Sequence, residues 1–275
     1  MKMPSRINSK NDFIKLAEDS ARIARISALN MTAKARASHI GSCLSVIDIL
    51  ALLFSVKFNS NSNNNDDVIL SKGHAAAALY ATLEAYNVLD TDPNFFCENG
   101  SKIYGHVNHH ASSHIPLSTG SLGHGLPFGV GLSLAKKKRK LSELTIVVMS
   151  DGELNEGTTW ESALISAHQA LTNLVVVIDR NHIQSLGFTE ETLKLEPIDA
   201  KWISFGWETR VVNGHEFGEL YDAVYTRSDK PICVIAETVK GKGVSFMENS
   251  IEWHYKSASD SDLVNATLEI QGGLK

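Results

Sequence analysis

Apolar residues recur at helical spacing over residues 12–37, through Phe13, Leu16, Ala17, Ile23, Ile26 and Leu29. This pattern predicts a helix, with Asn11 or Asp12 as its cap. Residues 45–56 read as a second, mostly buried helix. The polar run at 59–67, rich in Asn and Ser, reads as a surface loop. A short strand is expected at 68–70, and Gly73-His74 opens an Ala-rich helix. Residues 90–115 are irregular and hold many His. The Gly-rich stretch 120–131 leads into a helix ending in Lys136, Lys137, Lys138, Arg139 and Lys140. That basic run reads as a solvated helix end, where positive charge suits the helix dipole.

The second half alternates more regularly. Strands are expected at 144–149, 174–179, 207–212 and 232–237, with helices at 158–171 and 215–226. Apolar runs joined by helical crossovers predict a buried parallel sheet with helices on both faces, an α/β fold. Residues 1–275 are expected to form one domain. Ligands of such sheets bind at the carboxyl ends of the strands.

Composition narrows the function classes. The chain has 275 residues, of which 43% are hydrophobic and 21% charged, as in ordinary globular proteins. A net charge of −5 gives no reason to expect nucleic acid as a partner. Cys43, Cys97 and Cys233 are odd in number and far apart, which predicts reduced thiols in the cytoplasm. Residues 1–10 are polar and lack the apolar core of a signal peptide. No apolar run approaches the ~20 residues of a membrane helix, so no membrane partner is expected.

Two turns carry the chemistry. Ser150-Asp151-Gly152-Glu153-Leu154-Asn155-Glu156-Gly157 follows one expected strand, and Asp179-Arg180-Asn181-His182-Ile183 follows the next. Two strand ends side by side can hold one hard cation, and a carboxylate, an amide oxygen and a backbone carbonyl suit Mg²⁺. Gly152 lets backbone approach a phosphate closely. A lone Asp-Gly turn is usually only a turn; the pairing at βαβ spacing is what gives it weight. The cluster His106, His109, His110 and His114 also matches a zinc-ligand spacing, but no Cys or HExxH pattern accompanies it. His39 and His74 also read as hydrogen-bonding residues at helix starts, and His254, between Trp253 and Tyr255, as a packed loop residue. The Gly-rich stretches fit neither GxGxxG nor the P-loop, which disfavours nucleotide binding.

The two turns resemble the thiamine diphosphate signature, a GDG turn followed one βαβ unit later by an NN-type turn. The chain is similar to the N-terminal half of transketolase, or to the N-terminal subunit where that enzyme is split. The matching stretches run from Ser38-His39-Ile40-Gly41 to Trp253-His254. They include Ser71-Lys72-Gly73-His74, Tyr104-Gly105-His106, residues 118–125 and residues 240–248. The resemblance implies that Asp151, Asn181 and the carbonyl of Ile183 bind Mg²⁺. Gly152 and His74 would meet the diphosphate, and Gly120 and Leu122 would line the cofactor's rings. His39, His106 and His254 would face the reacting carbon and the sugar hydroxyls. Glu156, grouped with the cofactor-binding residues, would support a subunit contact and the coupling of paired sites. The implied reaction moves a two-carbon ketol unit from a ketose or ketose phosphate to an aldose or aldose phosphate. The cofactor is its electron sink, and histidines supply proton transfer.

Four positions depart from the family pattern: Ser150 for Gly, Arg180 for the first Asn, Val107 for Pro and His124 for Gln. The family's second domain, which grips the aminopyrimidine, is not expected on this chain. A C-terminal transketolase subunit is therefore the expected partner, in an α₂β₂ heterotetramer. The alternatives are a deoxyxylulose phosphate synthase-like or 2-oxoacid-decarboxylating subunit, or a non-catalytic subunit keeping the fold.

Overall fold

A computed structural model of the chain describes residues 9–60 and 65–272. Most of the polar N-terminal stretch and the middle of the Asn-rich loop lie outside the described residues. Five parallel strands form the central sheet in the order β1-β2-β3-β7-β6: β1 (Asp67–Leu70), β2 (Thr145–Ser150), β3 (Leu174–Arg180), β7 (Ile232–Glu237) and β6 (Glu208–Asn213). A separate two-stranded hairpin joins β4 (Ile183–Gln184) to β5 (Gly187–Phe188).

The sheet is buried on both faces because its central strands are apolar along nearly their whole length, and their pleat sends alternate side chains each way. Ile146 and Val148 of β2, Val175 and Val177 of β3, and Ile232 and Val234 of β7 enter one core. Val147 and Met149, Val176 and Ile178, and Cys233 and Ile235 enter the other. The first core is built with α1 (Lys10–Lys34), α2 (Ile40–Asn59), α3 (Ala76–Ala85), α8 (Phe217–Tyr225) and α9 (Asp260–Gln271). The second takes Leu126 and Val130 from α4 (Gly125–Lys138), Ala163 from α5 (Gly157–His168) and Trp202 from α7 (Ile198–Ser204). A one-turn α6 (Thr189–Thr192) follows the hairpin. Helices on both faces agree with the sequence expectation.

Several boundaries differ from it. The cap of α1 is Ser9, whose hydroxyl accepts from the Asp12 N–H at 3.2 Å, and not Asn11 or Asp12. Helix α2 extends well beyond residues 45–56 at both ends. It is long and apolar enough to pass as a membrane span by composition, contrary to the sequence reading, but 94% of that window is buried inside the domain. An all-round apolar helix of this kind is a core element; α2 is packed against α1 and α3. The basic run at the end of α4 is not wholly solvated either. Lys136 is buried, donates to the Leu144 carbonyl at 2.6 Å and pairs with Asp67 at 2.7 Å.

Candidate active site

Register puts the two acidic turns side by side. Ser150, the last residue of β2, pairs with Asp179 of β3, and the Asp151 N–H donates to the Asp179 carbonyl at 3.3 Å. Both chain segments then leave the carboxyl edge of the sheet together. A cavity of about 270 Å³ lies there. His39, His74, His106 and His254 line it, with Gly120, Leu122, Asp151, Gly152, Asn181 and Ile183. Ser42, Ser150, Gln184, Ser185 and Tyr255 complete the wall. All the sequence-predicted site residues converge except Glu156, which is exposed at the N-cap of α5 and does not line the cavity.

The local folding of each wall has a cause. His39 precedes α2 in the left-handed region, with φ of 75°, and its N–H donates to the His254 carbonyl at 2.9 Å. Such a backbone is uncommon outside glycine and collects at functional sites. Gly73 is required where it stands: a Cβ there would lie 2.4 Å from the Thr119 carbonyl oxygen. The Ser71–His74 turn can therefore press directly on the Gly-rich loop that carries Gly120 and Leu122.

The four imidazoles form one cluster. The ring of His39 lies 4.9 Å from that of His254, 5.3 Å from His74 and 6.2 Å from His106. Burial, then His106, Lys240 and Lys72, bring His39 down to about 4. Burial, Lys240, His39 and Lys72 bring His254 down to about 3. Burial and Lys72 hold His74 well below the ordinary histidine range. These three rings are neutral near pH 7, able to donate or accept a hydrogen bond at a defined atom. The buried His39 Nδ1 has no hydrogen-bond partner among the described residues, nor has the buried Gln184 Nε2. Both belong to residues that line the cavity.

The other end of the cavity is rich in oxygen. The Asp151 carboxylate accepts from the Gly152 N–H and the His182 N–H, each at 2.7 Å, and from Arg180 at 3.3 Å. Burial and the Asp179 charge push its carboxyl up, against the pull of Arg180. Asn181 lies beside it, its Oδ1 accepting from the Ile183 N–H at 3.2 Å. The Ile183 carbonyl accepts from the Lys240 ammonium at 3.0 Å. One of the three expected metal donors thus already holds a positive charge. A carboxylate whose charge is disfavoured, an amide oxygen and a carbonyl are hard donors suited to Mg²⁺, and they fit the cation.

Sequence reasoning gave no role to the residues beneath this wall. Asp179 is fully buried and accepts from Ser45 at 2.6 Å, from Lys72 and from Thr238. Burial alone would raise its carboxyl; Lys72 and the hydroxyls hold it below the usual range. Lys240, also fully buried, reaches from the Ile183 carbonyl to His254 Nδ1 at 2.9 Å. Burial and Lys72 pull it down to about 8. The Glu153 carboxylate accepts from Ser71, from the Gly123 N–H at 2.8 Å and from the Ser150 N–H at 3.4 Å, tying three loops together. Asp179, Lys72, Lys240 and Glu153 all stand inside the sequence motifs, but a lone charge in a turn does not show what it will pair with.

The departures from the family pattern also find places. Ser150 lines the cavity and is not among the residues with positive φ, so its side chain brings no backbone strain. Arg180 is buried and bonds to Asp151, Thr189, Glu190 and Glu196, anchoring the segment after the hairpin. Val107 is buried, and its carbonyl accepts from the Thr119 N–H at 3.1 Å. His124 is the N-cap of α4 and is not in the cavity wall. Of the histidines with zinc-like spacing, His109 and His110 lie ring to ring at 3.9 Å, while His106 and His114 have other neighbours. His106 faces His39, His109 bonds to Ser118 at 2.7 Å, and His114 packs on Phe58.

Comparison with known proteins gives a consistent answer. The family described as transketolase, thiamine diphosphate binding domain, matches residues 16–272. An apulose-4-phosphate transketolase subunit of Phocaeicola vulgatus is 37% identical over 246 residues, covering 86% of this chain and 87% of that protein. The 6-deoxy-6-sulfo-D-fructose transketolase subunit SqwG of a Clostridium species is 31% identical, over 92% of this chain and 96% of its own length. The crystal structure of transketolase from Campylobacter jejuni superposes with a TM-score of 0.85 at 25% identity, over 96% of this chain. The chain spans 43% of that protein's length.

Proposed function

The chain belongs to the transketolase family through its thiamine diphosphate-binding domain, and from that premise we propose that it is the N-terminal subunit of a two-subunit transketolase. It transfers a two-carbon ketol unit from a ketose or ketose phosphate to an aldose or aldose phosphate, with Mg²⁺ and thiamine diphosphate. The observation that carries this reading is the Lys240 bridge, whose ammonium joins the Ile183 carbonyl at the oxygen-rich end to His254 in the histidine cluster. The expected metal donors and the expected proton-transfer residues are thereby parts of one cavity.

In this reading Asp151, Asn181 and the Ile183 carbonyl hold Mg²⁺ against the diphosphate. Gly152 and His74 contact that diphosphate, and Gly120 and Leu122 line the rings. The thiazolium, when bound, supplies the electron sink for carbon–carbon cleavage. His39, His106 and His254 hold the sugar hydroxyls and pass protons; the neutral state of His39 and His254 suits a group that must accept as well as donate. Buried Lys72 and Lys240 add positive charge near an anionic cofactor.

A C-terminal transketolase subunit completes the enzyme, in an α₂β₂ heterotetramer. A partner is supported by three relatives of similar length that are each named as one subunit of a transketolase. Leu186 supports it too. It is 82% exposed at the tip of the hairpin whose Gln184 and Ser185 line the cavity. We place the protein in the cytoplasm, a reading supported by three free cysteines. The test is product analysis with the chain and its candidate partner in Mg²⁺ and thiamine diphosphate. Ketose donors with aldose acceptors are expected to give ketol-transfer products. Turnover of 2-oxoacid donors alone, or none in a cofactor-loaded complex, would overturn the assignment.

A further inference from the structure

A charged cluster outside the cavity grips the loop that carries Lys240. Asp48, buried in α2, accepts from both terminal nitrogens of the Arg25 guanidinium, at 2.8 and 2.6 Å. It also accepts from His215 Nδ1 at 2.7 Å. A ring that donates from Nδ1 to a carboxylate keeps Nε2 as an acceptor, and the Val239 N–H donates to it at 2.9 Å. From the same cluster, Arg25 Nε donates to the Lys242 carbonyl at 3.3 Å. Val239 and Lys242 stand on either side of Lys240. The Gly241 N–H donates to the Gly41 carbonyl at 3.0 Å, a third tether onto the start of α2.

This loop has a demanding task. Lys240 is fully buried with Lys72 for a neighbour, a setting that disfavours its charge. Its ammonium nevertheless spans from the Ile183 carbonyl to His254 Nδ1. Left to its own preference, a flexible lysine would carry its charge towards water. We propose that Arg25, Asp48 and His215 form a positioning clamp that fixes the backbone on both sides of Lys240 and so sets His254 and the metal-binding turn in register. These three residues do not line the cavity; they act through Lys240. The functional part of the inference rests on reading the cavity as the thiamine diphosphate site.

The test uses the full chain in complex with its partner. In His215→Asn, the amide reaches Asp48 as Nδ1 does but falls short of Val239, so no buried carboxylate is left unpaired. In His215→Gln, the amide reaches the position of Nε2 and can accept from Val239. Amide hydrogen exchange at 239–243 is expected to rise about tenfold in His215→Asn, with exchange in β2 and β3 unchanged, and to return most of the way in His215→Gln. Thiamine diphosphate affinity in Mg²⁺, followed by titration calorimetry, is expected to fall about tenfold in the Asn variant and recover in the Gln variant. Unchanged exchange at 239–243, an increase spread evenly over the sheet, or a Gln variant no better than Asn would each overturn the clamp. A wild-type complex that binds no thiamine diphosphate would overturn the reading of the cavity instead, and the exchange comparison would still decide the clamp.

Discussion

His39 and His254 hold their rings 4.9 Å apart in partly buried surroundings beside two lysines. The folded protein protonates them only at about 4 and about 3, whereas an unfolded chain does so near 6.5. Between these values the unfolded state binds more protons, so stability is fully present above pH 6.5 and is lost as pH falls towards 4. The melting temperature is therefore expected to decline from pH 7 to pH 5, before carboxylates begin to protonate. His39→Gln and His254→Gln should each make that decline shallower. Identical slopes in wild type and both variants would show that these rings take up protons as freely when folded. Much of this site is legible residue by residue: His39, His74, His106, His254, Asp151 and Asn181 stand out because unusual residue types follow one another in a recognisable order. Asp179 and Lys72 do not. Each makes sense only against a partner more than a hundred positions away, Lys72 of the first strand's turn against Asp179 of the third, and no local pattern encodes that pairing.

Strands are easier to read than helix ends. The apolar runs of β2, β3 and β7 are continuous because both faces of the sheet are buried, and the expected strand at 232–237 matches β7 at both ends. Helix α9 gives no such signal, since only Ala266 and Ile270 along it are buried and its first turn is acidic. The start of α2 is hidden because His39 makes no side-chain capping bond and sits in a left-handed turn that no residue preference announces. The short α7 and the β4–β5 hairpin are too brief to show a period. Contact between elements sets a sharper requirement at Gly73. A methyl group there would meet the Thr119 carbonyl oxygen at 2.4 Å and the Gly120 nitrogen at 2.8 Å, backbone atoms that cannot swing aside. Gly73→Ala should push the 119–125 loop away from the Ser71–His74 turn, at a cost of about 1–3 kcal/mol. A thermal melt should show a drop of roughly 2–10 °C, and cofactor affinity should fall with it, because Gly120 and Leu122 move. A variant with wild-type melting and binding would mean that the two turns are not in fixed contact.

At the scale of the whole molecule, the cavity presents one wall of a site. Its histidines and oxygen donors belong to this chain, while Tyr255 and the Leu186 hairpin tip beside it stand exposed. An aminopyrimidine ring held on one side only would lose much of its burial, and an enzyme that must keep water from a reactive carbon needs a second surface. Glu156 fits the same picture: it is exposed, lies outside the cavity and packs near Gly123, where a role at a subunit contact is sterically open. Native mass spectrometry can separate assembly from cofactor retention. The chain co-expressed with its candidate partner, in Mg²⁺ and thiamine diphosphate, is expected to give a heterotetramer carrying two cofactors. In Asp151→Ala the tetramer should persist while Mg²⁺-dependent cofactor retention falls by at least roughly 100-fold, the upper range for disturbing residues that merely orient metal ligands. Asp151 contacts the Gly152 and His182 N–H groups and Arg180, and is itself buried, so loss of the tetramer in that variant would place the acidic turn in the assembly contact. Full retention of cofactor without the Asp151 carboxylate would remove it from the metal site.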